Sequence, residues 1–143
     1  MSNEARRLIE RLGLEPHPEG GHFREIYRHR HEREEVRGHL TSIYYLLEAG
    51  QVSHWHRIDA IELWNYHAGA PLELTVVAEA DQPVRYRLGV DFEADERPQA
   101  TVPPKAWQSA RSLGAWSLVS CTVAPAFHFA GFELAPPGWS PIA

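Results

Sequence analysis

The sequence predicts an all-β fold, an antiparallel sandwich or closed barrel, preceded by one short helix. Three observations carry this. Ten short segments after residue 20 are rich in β-branched and aromatic residues. They are separated by Gly, Pro, Asp or Gln punctuation, as in "EAG", "AGAP", "EADQP", "DERPQ", "VPPK" and "SLGA". No stretch beyond residue 13 shows a helix-length apolar period.

The helix is expected over residues 3–13. Ser2 or Asn3 is placed to cap it, Glu4 falls in its first turn, and Leu8, Ile9 and Leu12 share one face. Gly13 ends it, and Pro16 and Pro18 forbid its continuation. The strands are expected at 22–28, 40–47, 53–58, 61–67, 72–79, 84–90, 99–102, 106–110, 116–124 and 129–135. Ten short strands at this spacing suit a sandwich or barrel. No composition shift or long-period repeat divides the 143 residues, so one domain over 1–143 is expected.

Composition narrows the function. With 14 Lys+Arg against 19 Asp+Glu the net charge is −5, which argues against a nucleic-acid partner. The densest basic stretch, "YRHRHEREEVRGH" at 27–39, carries Glu32, Glu34 and Glu35 within it and reads as a mixed solvated face. The single cysteine, Cys121, lies in the apolar run "WSLVSCTVA", where a buried inert thiol is expected. No segment approaches the ~20 apolar residues of a membrane span and no signal-peptide core is present, so no membrane partner and a cytoplasmic location are expected.

The chemistry concentrates in "SHWHRIDAIELWNYHAG", residues 53–69. Strand alternation puts His54 and His56 on one face with Trp55 opposite. The tight "RIDA" connection folds the chain back, so that Glu62 arrives beside them. Two imidazoles and a carboxylate suit a divalent Zn, Fe, Mn or Ni ion with positions left open for water or substrate. The plainer alternative is a set of satisfied polar residues on a half-solvated sheet.

The series Gly50-x3-His54-x-His56-x5-Glu62-x6-Gly69 resembles the first motif of the cupin superfamily. "PPKAWQ" resembles the second, with Pro103 in place, Lys105 at the Gly position and Gln108 at the His position. "HPEGGHFREIYR", "VPPKAWQSAR" and "LVSCTVAPAFHFAGFELA" are similar to a branch of cupin-like proteins of unknown function. The resemblance covers nearly the whole chain in order. It implies a jelly-roll barrel related to that of the deoxysugar-nucleotide epimerases, usually dimeric, with residues 22–47 as the expected contact of a homodimer. It also implies a metal set of His54, His56, Glu62 and Gln108, the last a weaker ligand than histidine.

Around that set, Gly20-Gly21 frees the backbone ahead of a strand, and Glu25 or Arg24 is expected at a pocket mouth. A similar Gly-Phe-x-x-Glu opening in the epimerase-like cupins supports this. Glu25 and Glu62 are the candidate proton-moving carboxylates. Tyr45, Arg24 and His128 are candidate ligand contacts, although parity does not assign a direction to His128 or Glu133. Trp55, Trp64, Trp107, Tyr44 and Tyr45 are expected mainly in the core, and His17, His29, His31 and His39 on the surface. Two functions follow. One is metal-assisted isomerisation or epimerisation of a small, sugar- or nucleotide-like metabolite, with oxygen-dependent cleavage at Fe(II) as the other enzymatic option. The second is non-catalytic binding of such a molecule without a metal.

Overall fold

A computed structural model describes residues 3–78 and 82–142. The candidate cap Ser2 and the expected strand end at Glu79 lie outside the described residues. Helix α1 spans Asn3–Leu12, with Glu4 in its first turn. Gly13 adopts φ 65° and closes it. The Leu14 N–H bonds the Ile9 carbonyl at 2.9 Å and the Gly13 N–H bonds that of Glu10 at 3.3 Å, the paired bonds of a Schellman ending.

Eleven strands follow among the described residues: β1 Glu15–Pro16, β2 His22–Arg28, β3 Thr41–Glu48, β4 Val52–Ile58, β5 Ile61–Gly69, β6 Leu72–Val77, β7 Val84–Leu88, β8 Gln99–Val102, β9 Trp107–Ser112, β10 Trp116–Ala124 and β11 Phe132–Leu134. The ten expected strands are all present. The two-residue β1 was not foreseen, and the last strand is shorter because residues 129–131 form a 3₁₀ turn ahead of it. The strands make two antiparallel sheets, ordered β1-β2-β3-β10-β5-β8 and β11-β4-β9-β6-β7. This is the expected all-β jelly roll with a short N-terminal helix. No helix among the described residues is long and apolar enough to cross a membrane.

The main core lies between the sheets, where Tyr45, Leu47, Trp64, Leu72, Leu74 and Val119 are buried together. Alternation along β3 sends Tyr45 and Leu47 inward and Tyr44 and Leu46 outward. On that outer face Leu46 and Leu118 pack with Ala5, Leu8, Ile9 and Leu12, so the apolar stripe of α1 covers the six-stranded sheet. Of the five aromatics expected in the core, Trp64 and Tyr45 are its largest fully buried members. Trp55, Trp107 and Tyr44 are half-buried; Trp107 packs against Trp139 at 4.6 Å and carries the Arg57 guanidinium over its ring.

Candidate active site at the cavity floor

Between the sheets lies a cavity of about 400 Å³. Its floor is assembled by one loop and two strands. The loop is "HPEGG", held tight by the His17 N–H on the Gly21 carbonyl (2.9 Å) and the Gly20 N–H on that of His17 (3.0 Å). Gly20 has φ 114°, and a Cβ there would lie 2.0 Å from the Val52 carbonyl oxygen. Only glycine lets the loop press onto β4 so closely. That contact delivers Glu19: its carbonyl accepts from the His54 N–H at 2.8 Å, and its buried carboxylate accepts from the Ser53 hydroxyl at 2.7 Å.

His56 comes next. In the β4–β9 ladder Ser53 faces Ala110 and His56 faces Gln108, so β4 carries one extra residue between them. The bulge turns Ser53 and His56 inward together although they are three apart. His56 is 3% exposed, its Nδ1 is 2.8 Å from the His54 carbonyl oxygen, and its Nε2 is 3.2 Å from Glu19 Oε2. A carbonyl only accepts, so Nδ1 carries the hydrogen and the Nε2 lone pair of the neutral ring faces Glu19. Burial lowers the His56 pKa and raises that of Glu19. The Ser53 bond holds the other Glu19 oxygen, Oε1, which leaves Oε2 beside the His56 ring.

Glu62 and Gln108 complete the floor. The Gln108 amide donates to Glu62 Oε1 at 2.9 Å, and its own oxygen accepts from the Trp64 indole N–H at 2.8 Å. Trp64 therefore fixes which end of the amide meets the carboxylate. Burial pushes Glu62 up to about 7, opposed by His56 and aided by the nearby Glu19 charge. The Cys121 thiol lines the same cavity and is pushed up by burial, which agrees with an inert thiol.

The candidate residues divide. His56, Glu62 and Gln108 meet at the floor. His54 does not join them: the same bulge turns it outward, and its Nε2 lies 3.0 Å from the Pro136 carbonyl oxygen. Gln108 offers Glu62 its N–H and has its oxygen engaged by Trp64, so neither end is free for an ion. The residues as placed do not fit the expected metal set. Among the described residues no group of three or more His, Cys, Asp or Glu side chains is placed to hold one.

Tyr45 and Glu25 line the cavity. The Tyr45 hydroxyl donates to the Gly20 carbonyl and braces the loop. Arg24 points the other way and donates to the Leu12 carbonyl at the end of α1. His128 sits outside the cavity with its Nε2 3.0 Å from Asp59 Oδ2, and Glu133 pairs with Arg57. Two residues escaped sequence reasoning. Glu19 reads as an ordinary loop carboxylate. His17, expected on the surface, lines the cavity, stacked edge-on with Phe23 at 4.5 Å. The signal available was the pair of glycines after Glu19, which marks a loop forced against a neighbouring backbone.

The comparisons with known proteins agree with this architecture. No curated protein matches the chain. A hypothetical protein from Leishmania major is 35% identical, with a TM-score of 0.85 over 92% of this chain and 86% of that one. A Shewanella oneidensis protein solved by X-ray crystallography is 40% identical, with a TM-score of 0.87 over 94% and 85%. At the level of fold alone, a dTDP sugar isomerase from Desulfovibrio desulfuricans is similar, with 14% identity and a TM-score of 0.61 over 83% of each chain. The family described as the cupin superfamily (DUF985) matches residues 6–135, and the chain belongs to it.

Proposed function

We propose that the chain binds a small polar metabolite between its sheets and isomerises or epimerises it by proton transfer. One observation carries this reading: on the cavity floor His56 Nε2 lies 3.2 Å from a Glu19 carboxylate oxygen, beside the Glu62 carboxyl, whose pKa burial pushes up to about 7. Groups with such environments are suited to take a proton from carbon and return it. In the step proposed, His56 Nε2 removes a proton from the carbon next to a substrate carbonyl. The C–H electron pair moves into the enolate, and the Glu62 carboxyl supplies the proton that rebuilds a C–H bond. Glu19 orients His56 and balances its charge while it is protonated. The fold shared with a dTDP sugar isomerase supports the reaction class.

The test is deuterium incorporation. Neutral keto sugars are incubated with the protein in D₂O and followed by NMR, with nucleotide-linked keto sugars run beside them as the anionic comparison. Exchange next to the carbonyl that disappears in His56→Ala is expected. Binding without exchange across the panel would reject catalysis and favour the non-catalytic reading, which the apolar upper wall of the cavity supports.

We also propose a homodimer. Among the described residues strand β1 pairs only with His22 and Phe23 of β2. The rest of β2 is an edge carrying Ile26, 42% exposed, and Tyr27, 54% exposed, and such edges call for cover. Light scattering should return about 33 kDa, twice the 16.3 kDa chain. A 16 kDa particle rejects the dimer.

A further inference from the structure

The mouth of the cavity differs in chemistry from its floor. Strand β2 is bulged against β3: Glu25 faces Ile43 while Tyr27 faces Ser42, so one extra residue stands between them. Simple alternation would place Glu25 and Arg28 on opposite faces. The bulge brings both to the cavity wall. There Glu25 grips the guanidinium with both oxygens, Oε1 at 2.8 Å from Nε and Oε2 at 2.9 Å from Nη2, while Nη1 donates to the Phe127 carbonyl at 2.9 Å.

Arg28 is the only arginine or lysine among the described residues that line this cavity. Facing it are four carboxyl groups, Glu15, Glu19, Glu25 and Glu62, and two imidazoles whose pKa values burial lowers. Of the three arginines on the adjoining loop, Arg37 is held in the same bidentate way by Asp59 and Arg33 pairs with Glu35, and neither these nor Arg30 lines the cavity. An anion inside the cavity therefore meets no free guanidinium or ammonium among the described residues that line it. Beyond the ion pair, Phe127, Phe129 and Phe132 pack edge to face, with centroids 5.2 to 6.3 Å apart, as an apolar wall.

We propose that Glu25 sets the charge class of the ligand: by engaging Arg28 it makes the cavity a receptor for uncharged, ring-bearing molecules and excludes anionic ones. This rests on the cavity being the ligand site of the proposed function, and it refines the substrate class. The phenylalanine wall takes the ring, and the floor takes a carbonyl or hydroxyl. Glu25 acts here as a specificity residue and touches no reacting atom.

Benzamide and benzoate test it, because they match in shape and differ in charge. Calorimetric titration of the full chain should show benzamide binding at least about tenfold more tightly than benzoate. Glu25→Gln should release Arg28 and strengthen benzoate binding by about tenfold, through a new guanidinium–carboxylate pair, while benzamide changes by less than roughly twofold. The double variant Glu25→Gln/Arg28→Met should lose that gain. Equal binding of the two probes to the unaltered chain, binding of neither, or no gain in Glu25→Gln would each overturn the proposal. The comparison on the unaltered chain decides the matter even where a variant fails to fold. Absent deuterium exchange with the probe preference intact would remove the proton-transfer reading and leave this one standing. Exchange present without the preference would do the reverse.

Discussion

His56 Nε2 lies 3.2 Å from Glu19 Oε2, with both groups buried on the cavity floor. The two residues are 37 positions apart and meet because a loop with two glycines packs against a bulged strand. Replacing Glu19 by Gln keeps the shape and removes the group that balances a protonated His56. We expect deuterium exchange to fall on the order of a hundredfold, while benzamide still binds. An unchanged exchange rate would show that Glu19 has no part in the chemistry.

Glu62 ties stability to pH. Its folded pKa of about 7 stands above its ordinary 4.5, so between these values the folded state binds more protons than the unfolded one. Its contribution is fully present below about pH 4.5 and is lost as pH rises towards 7. His56, lowered by burial, works in the opposite direction below its ordinary 6.5, so the clean readout is a difference. Urea unfolding of Glu62→Gln and the unaltered chain should show the variant gaining, relatively, up to ~3 kcal/mol between pH 4.5 and 7.5. A pH-independent difference would contradict the raised pKa.

Gly20→Ala should be severely destabilising. The added methyl would meet the Val52 oxygen at 2.0 Å, at a φ of 114°. A loss of at least ~3 kcal/mol is expected, measured by chemical denaturation. A loss below 1 kcal/mol would mean the loop can leave β4 freely, and with it Glu19.

Lys105 occupies the glycine position of the second cupin motif with φ 70°. A side chain there carries a steric penalty that glycine avoids, partly offset by the greater freedom of glycine in the unfolded chain. Lys105→Gly should therefore stabilise by up to ~1 kcal/mol. A fall in melting temperature would contradict this.

Gln108→His tests the metal reading directly. The imidazole would replace an amide that satisfies both Trp64 and Glu62, and His54 would still face Pro136. The variant should lose roughly 1–3 kcal/mol through unsatisfied buried groups. Zn, Mn, Fe or Ni should not raise its melting temperature. Metal-dependent stabilisation would restore the four-ligand set.

Period and punctuation made the strands legible. "HFREIYR" and "WSLVSCTVA" match β2 and β10 end to end, because β-branched and aromatic runs between Gly and Pro leave little else possible. The meeting of Glu62 with Gln108 was legible through motif order. The facing of His54 and Arg28 was not. Each depends on a one-residue bulge, and a bulge is a property of two paired strands that neither strand's own sequence displays. His54 was accordingly expected beside His56, and simple alternation would set Arg28 opposite Glu25. Arg24 was missed for a related reason: its partner, the Leu12 carbonyl, belongs to a helix end 12 residues away.

The place of β10 between β3 and β5 has a kinetic consequence. Thr41 pairs with Val123, 82 residues further along. Closing such a span before its contacts form is entropically unfavourable, which places folding in the ~millisecond-to-second range of β proteins. During synthesis at ~5–20 residues per second, β3 waits roughly 4–15 s for its partner to emerge. Through that interval Tyr45, Leu47 and Trp64 remain open to other chains, so the yield of folded protein should fall with expression rate and recover at low temperature.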